Sequence, residues 1–326
     1  MKLRIATRSS NLALIQTRWV GDRLRERDDS IAIEEVRVVP AGDRIQDRPL
    51  AQVGGKGLFV SEVEAAVVRG EADFAVHSLK DVPGDVPLAE GMSILSIPAR
   101  EDPRDVIVTT DGADLASLPR GARVGTTSRR RIVQLLRQRP DLVFLPMRGN
   151  IETRLRKLRE QRCDAIVLAA AGLARAGLLD QVPHEILAPD ICLPAVGQGA
   201  LAIEGPLANQ DLHGRLLTIE DTEARIQITA ERAMLEGLEG NCHSPIAGHA
   251  TLEEGRIKLE ALVASYDGDQ LLTATSDTYL DVTAADAVER ARALGEEVAG
   301  QLLERGATQL IRDAELAAVR SQLTTN

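Results

Sequence analysis

Ala122-Arg123-Val124-Gly125-Thr126-Thr127-Ser128-Arg129-Arg130-Arg131-Ile132-Val133-Gln134-Leu135-Leu136 changes its period part-way along. Residues 122–125 form a short apolar strand pattern. From Ser128 the apolar positions fall at helical spacing, Val133 with Leu136, behind a serine that can cap a first turn. A strand that runs directly into a capped helix is the building unit of an α/β sheet. The unit recurs outward in both directions. Residues 3–7, 31–39, 73–77, 92–97, 104–109, 142–147 and 164–168 read as strands. Ser10 or Asn11 can open a helix carrying Leu12, Ile15, Trp19, Val20 and Leu24, and Asn150 one carrying Leu155 and Leu158. The alternation predicts mainly parallel sheets, with ligands bound beyond the carboxyl ends of the strands.

Two interruptions divide this pattern. Residues 98–103 bring proline and charge together, and Leu193-Pro194-Ala195-Val196-Gly197-Gln198-Gly199 is a second hinge candidate. Two crossings predict a two-lobed body. After a helix-rich stretch over 207–238 the pattern turns to hairpin strands, with Glu253-Glu254-Gly255 and Tyr266-Asp267-Gly268 as turns. A helix over 284–304 then places Val288, Ala291, Gly295, Val298 and Leu302 on one stripe. The expected domains are therefore 1–97 with 198–218 (α/β), 102–193 (α/β) and a small α+β domain over 222–326. No internal repeat is evident.

Composition narrows the function. A net charge of −10 and 2% aromatic residues argue against nucleic acid and anionic membrane as partners. The apolar run at 165–173 is too short to span a bilayer, and the start lacks a signal-like apolar core, so a cytoplasmic protein is expected. Three cysteines, Cys163, Cys192 and Cys242, suit a reducing compartment better than a disulfide framework. Lysine occurs only at positions 2, 56, 80, 157 and 258, so most of the 39 basic residues are arginine. Guanidinium forks bind carboxylates and phosphates bidentately, and their location decides whether they form a site.

Several lie at strand ends. The segment Val76-His77-Ser78-Leu79-Lys80-Asp81-Val82-Pro83 closes a buried strand with histidine, serine, ammonium and carboxylate, groups that can bind an anion and move protons, or that form an ordinary Lys-Asp turn. The loop from Gly125 to Arg131 offers helix N–H groups, hydroxyls and guanidiniums to an anion, although one helical turn cannot aim three arginines alike, so one of them is expected in solvent. Arg148, Thr153 and Arg154 close the next strand, and Arg8 and Ser10 the first. Arg8, Lys80, Arg130, Arg131, Arg148 and Arg154 in such loops point to a ligand with several carboxylates or phosphates. Val53-Gly54-Gly55-Lys56-Gly57 lacks the spacing and the hydroxyl of a nucleotide phosphate loop, and reads as a lid tipped by Lys56 or as a turn. Cys163 and Cys192 are expected to be buried. Cys242, in Gly240-Asn241-Cys242-His243-Ser244-Pro245, is a nucleophile, an attachment point or an inert loop thiol, and neither Cys-x-x-Cys nor His-x-x-x-His spacing supports a metal.

Taken in order, nine segments resemble the porphobilinogen deaminase (hydroxymethylbilane synthase) family. They are residues 4–10, 53–59, 76–83, 100–105, 125–131, 148–150, 193–200, 229–232 and the Cys242 loop. The resemblance implies two periplasmic-binding-protein-like domains plus a small C-terminal α+β domain. It implies a dipyrromethane cofactor joined by a thioether to Cys242, and stepwise condensation of four porphobilinogen molecules with loss of ammonia, water then releasing the linear tetrapyrrole. By the same resemblance Asp81 is catalytic, facing the pyrrole nitrogens and stabilising an azafulvene-like cation. Arg8, Ser10, Lys80, Thr126, Ser128, Arg130, Arg131, Arg148, Arg154 and Arg175 hold carboxylates of cofactor and substrate, Lys56 sits on a lid, no metal takes part, and the chain is expected to be a monomer. Gln52, Gly237, Asn241 and Arg129 depart from the family pattern, and Arg129 is expected to face solvent. The rival readings are a non-catalytic two-lobed anion- or solute-binding protein and a phosphate-ester enzyme. Against the first stands Asp81, a carboxylate from which a pure anion binder gains nothing. Against the second stands the lack of a carboxylate cluster for a metal and of a nucleotide fingerprint.

Overall fold

The computed structural model describes residues 1–39, 60–240 and 244–323. The first sheet has the order β2-β1-β3-β10-β4, built from β1 (Lys2–Arg8), β2 (Ala32–Val38), β3 (Phe74–Ser78), β4 (Met92–Ser96) and β10 (Leu201–Pro206). Helices α1 (Asn11–Arg27), α2 (Ser61–Val68) and α6 (Gln210–Leu217) cover it. The second sheet has the order β7-β6-β8-β5-β9, from β5 (Asp105–Thr109), β6 (Arg123–Gly125), β7 (Val143–Leu145), β8 (Ala165–Ala169) and β9 (His184–Ile186). Its helices are α3 (Arg129–Gln138), α4 (Ile151–Arg159) and α5 (Ala170–Arg175). The two orders are the same pattern: three strands that follow one another in sequence, one strand delivered by a crossing from the other lobe, and one edge strand. These are the two α/β lobes expected from the sequence.

The sheets are not mainly parallel. β1 pairs in parallel with β2 and β3, and β6 with β7 and β8, but β10 runs antiparallel to β3 and β4, and β5 antiparallel to β8 and β9. Each crossing delivers its strand from the opposite end of the sheet, and a buried apolar strand reads the same in either direction. β10 also escaped the sequence pattern because Glu204, Gly205 and Pro206 interrupt its apolar run, although Leu201 to Gly205 are all buried.

The third unit is a meander of β11 (Ile246–Glu253), β12 (Arg256–Ala264) and β13 (Leu271–Tyr279), backed by α7 (Thr222–Gly237), α8 (Ala287–Glu304) and α9 (Ala307–Leu323). Both predicted turns close its hairpins, with positive φ at Glu254, Gly255 and Gly268. The buried stripe of α8 is Ala287, Ala291, Leu294, Gly295, Val298 and Leu302. Val288, expected on that stripe, is 44% exposed, because the true seam begins one residue earlier. α8 crosses α7 closely: a Cβ on Gly295 would lie 2.2 Å from the carbonyl of Ala230.

The hinges run side by side. A Cβ on Gly199 (φ +90°) would meet the Glu101 carbonyl at 2.3 Å, so the second crossing lies directly on the first. Glu231 of α7, fully buried, accepts from Arg100 Nη1 and Nη2, from the Gly197 N–H and from the Ala250 N–H. One carboxylate thus ties both crossings to the third unit. Cys163 and Cys192 are buried, as expected.

Candidate functional site

The site starts where β3 ends. After Ser78 the chain makes a single 3-10 turn, Leu79–Asp81, closed by the Val82 N–H donating to the Leu79 carbonyl. Leu79 is 1% exposed, and its burial contributes about 1.5–3 kcal/mol to holding the turn. It packs against Gly197, where a Cβ would come within 2.0 Å of it, and its N–H donates to the Ala200 carbonyl at 3.0 Å. With Leu79 turned inward against the second hinge, Lys80 and Asp81 emerge at the carboxyl edge of the sheet.

β1 ends beside them. Ser10 caps α1, its Oγ accepting from the Ala13 N–H, and the Arg8 guanidinium stands 3.8 Å from the Asp81 carboxylate. Arg8, Ser10, Gln16, His77, Ser78 and Asp81 line one small cavity. Gln16, which the sequence analysis passed over, is buried there and donates to the Ser78 hydroxyl at 3.0 Å. Only the tertiary structure brings the buried face of α1 to the end of β3.

The second lobe supplies most of the cations. Thr126 is buried and its hydroxyl accepts from the Ser128 N–H at the start of α3, where Ser128 occupies the capping position without a side-chain cap bond. Arg130 and Arg131 both turn inward onto Asp105 of β5, at 2.7 Å each, and Arg130 also donates to the Leu193 carbonyl. Burial works against the charge on Asp105, but Arg130 and Arg131 overcome it and hold the carboxyl well below the usual carboxylate range. Two guanidiniums on one carboxylate leave an excess positive charge in the cluster. Arg129 does not face solvent: its guanidinium stacks 3.6 Å from the Tyr266 ring centroid, because the β12–β13 turn of the third unit reaches across to α3. Asp105 is the main residue that sequence reasoning left without a role. Its signal was a lone acid at the head of the apolar run at 105–109.

Gln198 joins the lobes. Its side-chain amide donates to Asp105 and to the Pro103 carbonyl, and its oxygen accepts from Lys80 Nζ at 3.2 Å. Around it stand cations whose charge is poorly met. Burial, with Arg131 close by, pushes Lys80 down to about 8. Burial, again with Arg131, pushes Arg154 down to about 10. Burial pushes Arg175 down to about 10, with Glu101 opposing. Arg154 donates to the Gly149 carbonyl and Arg175 to the Gly199 carbonyl, so among the described residues backbone carbonyls receive their hydrogen bonds. Arg148 is exposed at the end of the same loop. Lys80 and Arg154 both lie in the field of Arg131, Arg8 faces Asp81, and Arg175 reaches the second hinge at Gly199. Lys56, Gln52, Asn241, Cys242 and His243 lie outside the described residues.

A multiply charged anion fits this arrangement. A dipyrromethane brings acetate and propionate arms, and among the described residues burial outweighs any acid around Lys80, Arg154 and Arg175.

Comparison with known proteins agrees. The family model described as "Porphobilinogen deaminase, dipyromethane cofactor binding domain" matches residues 3–213, and "Porphobilinogen deaminase, C-terminal domain" matches residues 225–304. The porphobilinogen deaminase of Syntrophotalea carbinolica is 45% identical over 309 residues, covering 95% of each chain. That of Halalkalibacterium halodurans is 45% identical over 315 residues, 96% of this chain and 97% of the relative. That of Sorangium cellulosum is 48% identical over 270 residues, 83% and 89%. Among solved structures, the VFT2 domain of Bordetella pertussis BvgS is 16% identical over 67% of this chain and 84% of that one, at a TM-score of 0.38, too loose to carry weight. The cofactor-binding and C-terminal halves are both present in order, and this chain belongs to the porphobilinogen deaminase family.

Proposed function

We propose that the deaminase reaction of this chain runs in the cleft between the two lobes, with Asp81 as its catalytic carboxylate. Lys80, Arg154 and Arg175 clamp the carboxylate arms of cofactor and substrate, helped by Arg8, Ser10, Thr126, Ser128, Arg130, Arg131 and Arg148. The observation that carries this reading is the charge balance. Lys80, Arg154 and Arg175 are all depressed by burial and wait for anions. Arg130 and Arg131 are partly neutralised by Asp105, so they offer the cluster's one excess charge.

Asp81 faces the cavity next to Arg8. From there it stabilises the positive charge that develops on the substrate as the C–N bond breaks and ammonia leaves. It then takes up the ring proton released when the new C–C bond forms. Bound through Cys242, the dipyrromethane supplies the pyrrole carbon to which the first substrate is coupled. Gln198, bridging Lys80 and Asp105, keeps the lobes in register while this happens. We assign the lobes to 1–97 with 198–218 and to 102–193, and the cysteine-bearing unit to 222–326. The protein acts as a cytoplasmic monomer, without nucleic acid or membrane partners. Its net charge of −10 argues against polyanionic partners. Among the described residues no helix is long and apolar enough to cross a membrane.

The test is the intact mass of the denatured protein purified from cells, beside a Cys242→Ser variant. An excess of two pyrrole units in the wild type, lost in the variant, is expected. Wild type at bare sequence mass that gains nothing on incubation with porphobilinogen overturns the attachment.

A further inference from the structure

Under the cavity lies a cluster of ionisable groups that the reaction scheme leaves unused. His77 and Glu204 are buried, with side chains 4% and 1% exposed, and His77 Nε2 stands 2.9 Å from Glu204 Oε2. The register pairs Ala202 with His77 and Glu204 with Ala75, so all four side chains share one face of the sheet and His77 meets Glu204 on the diagonal. α2 covers that face, packing Val63, Ala66 and Val67 against Ala75. From α2, Glu64 reaches Glu204, while one of its oxygens accepts from the Ala89 N–H at 2.6 Å. Neither Glu204 oxygen nor His77 Nε2 has a hydrogen-bond partner among the described residues. A carboxylate sealed from water needs a counter-charge or a proton, and His77 and Glu64 are what face Glu204.

We propose that His77 is a positioning residue for the reaction: its buried pair with Glu204 fixes the end of β3 that presents Lys80 and Asp81, and Glu64 is the titratable third member of the pair. His77 directly precedes Ser78 and the 79–81 turn, so a shift of its ring displaces the Asp81 carboxylate by the same linkage. β10, which holds Glu204, follows directly from Gln198, the partner of Lys80. The pair therefore braces both chain segments that converge on the Lys80 ammonium. Burial, and then the nearby Glu204 carboxylate, push Glu64 up to about 7, against the Ala89 N–H and His77. Below that pH Glu64 is protonated and adds no charge beside Glu204. Above it the partly buried Glu64 is ionised beside Glu204, and the added negative charge loosens the brace.

The inference rests on Asp81 being the catalytic carboxylate. Retained turnover in Asp81→Asn would remove that premise without touching the geometry of the cluster. The test compares wild type, His77→Gln, Glu204→Gln, the double variant and Glu64→Gln, each isolated with its cofactor and checked for mass and melting temperature. Rates are taken between about pH 6 and about pH 9. For His77→Gln kcat should fall roughly tenfold to a hundredfold, the scale of sub-ångström misplacement, with KM held within about twofold. The double variant should be no worse than the worse single one, since both remove the same brace. In wild type kcat at saturating substrate should decline as pH rises through about 7. In Glu64→Gln it should stay flat. Cofactor-loaded His77→Gln with wild-type kcat overturns the proposal, as does a loss that only tracks the folded fraction. If the His77 and Glu204 variants do not fold, a Glu64→Gln profile identical to wild type overturns it instead.

Discussion

A carboxylate 3.8 Å from one guanidinium and one residue from an ammonium has a use that its charge alone would not suggest. Asp81→Asn keeps the shape and removes the charge, so turnover should nearly vanish while fold and cofactor mass persist. Near-normal turnover of that variant would refute the assignment. Lys80 gives a second handle. Its ammonium is lowered from the usual lysine value to about 8, so it is charged at neutral pH and loses its charge as pH rises through about 8. Affinity for a carboxylate ligand falls with it. A further alkaline loss of kcat/KM near pH 8, beyond the decline assigned to Glu64, should be present in wild type and missing in Lys80→Gln. Arg154 separates binding from folding. Among the described residues no acid opposes its burial, so Arg154→Leu should leave the melting temperature unchanged or slightly raised while raising KM or lowering cofactor content. A lower melting temperature with unchanged KM and cofactor content would mark it as structural.

At the scale of elements, the decisive pieces are short. β3 and its 3-10 turn are eight residues, and their position is set by Leu79 packing into the space left by Gly197. α2 brings Glu64 over the same sheet, and the linkage has a definite sign. A carboxyl whose folded value is raised stabilises the fold fully below its unfolded value near 4.5. That contribution is lost as pH rises towards about 7. Glu64→Gln should therefore gain in melting temperature relative to wild type as pH increases across that window. A difference independent of pH would contradict the raised value. In the third unit the α7–α8 crossing depends on Gly295, whose Cβ would collide with the Ala230 carbonyl. Gly295→Val should cost about 1–3 kcal/mol by overpacking, read by denaturant unfolding. The stripe that includes Gly295 was legible in the sequence because helical period survives without knowing the partner. Val288 was misplaced because the same spacing fits two seams one residue apart.

Across the whole molecule, two hinges and one buried carboxylate decide how the three units meet. Glu231 holds Arg100 and the Gly197 N–H at once, so Glu231→Gln should cost about 3–5 kcal/mol by stranding a buried guanidinium. A melting temperature within a degree or so of wild type would show the junction to be dispensable. By itself the sequence determined the α/β class, the two crossings and the hairpin-bearing third unit. It also marked the strand end at Arg8 and the segments just beyond strand ends that carry Lys80, Asp81 and Arg154. Period, capping and turn chemistry are local, and they are written in neighbouring residues. Tertiary structure alone decided that each crossing strand runs antiparallel. It alone drew Arg130 and Arg131 onto Asp105, turned Arg129 to Tyr266, and gathered His77, Glu204 and Glu64 beneath the cavity. Those outcomes depend on which distant groups share a low-dielectric space. A buried charge takes whatever partner the packing brings within reach, and no spacing along the chain encodes that partner.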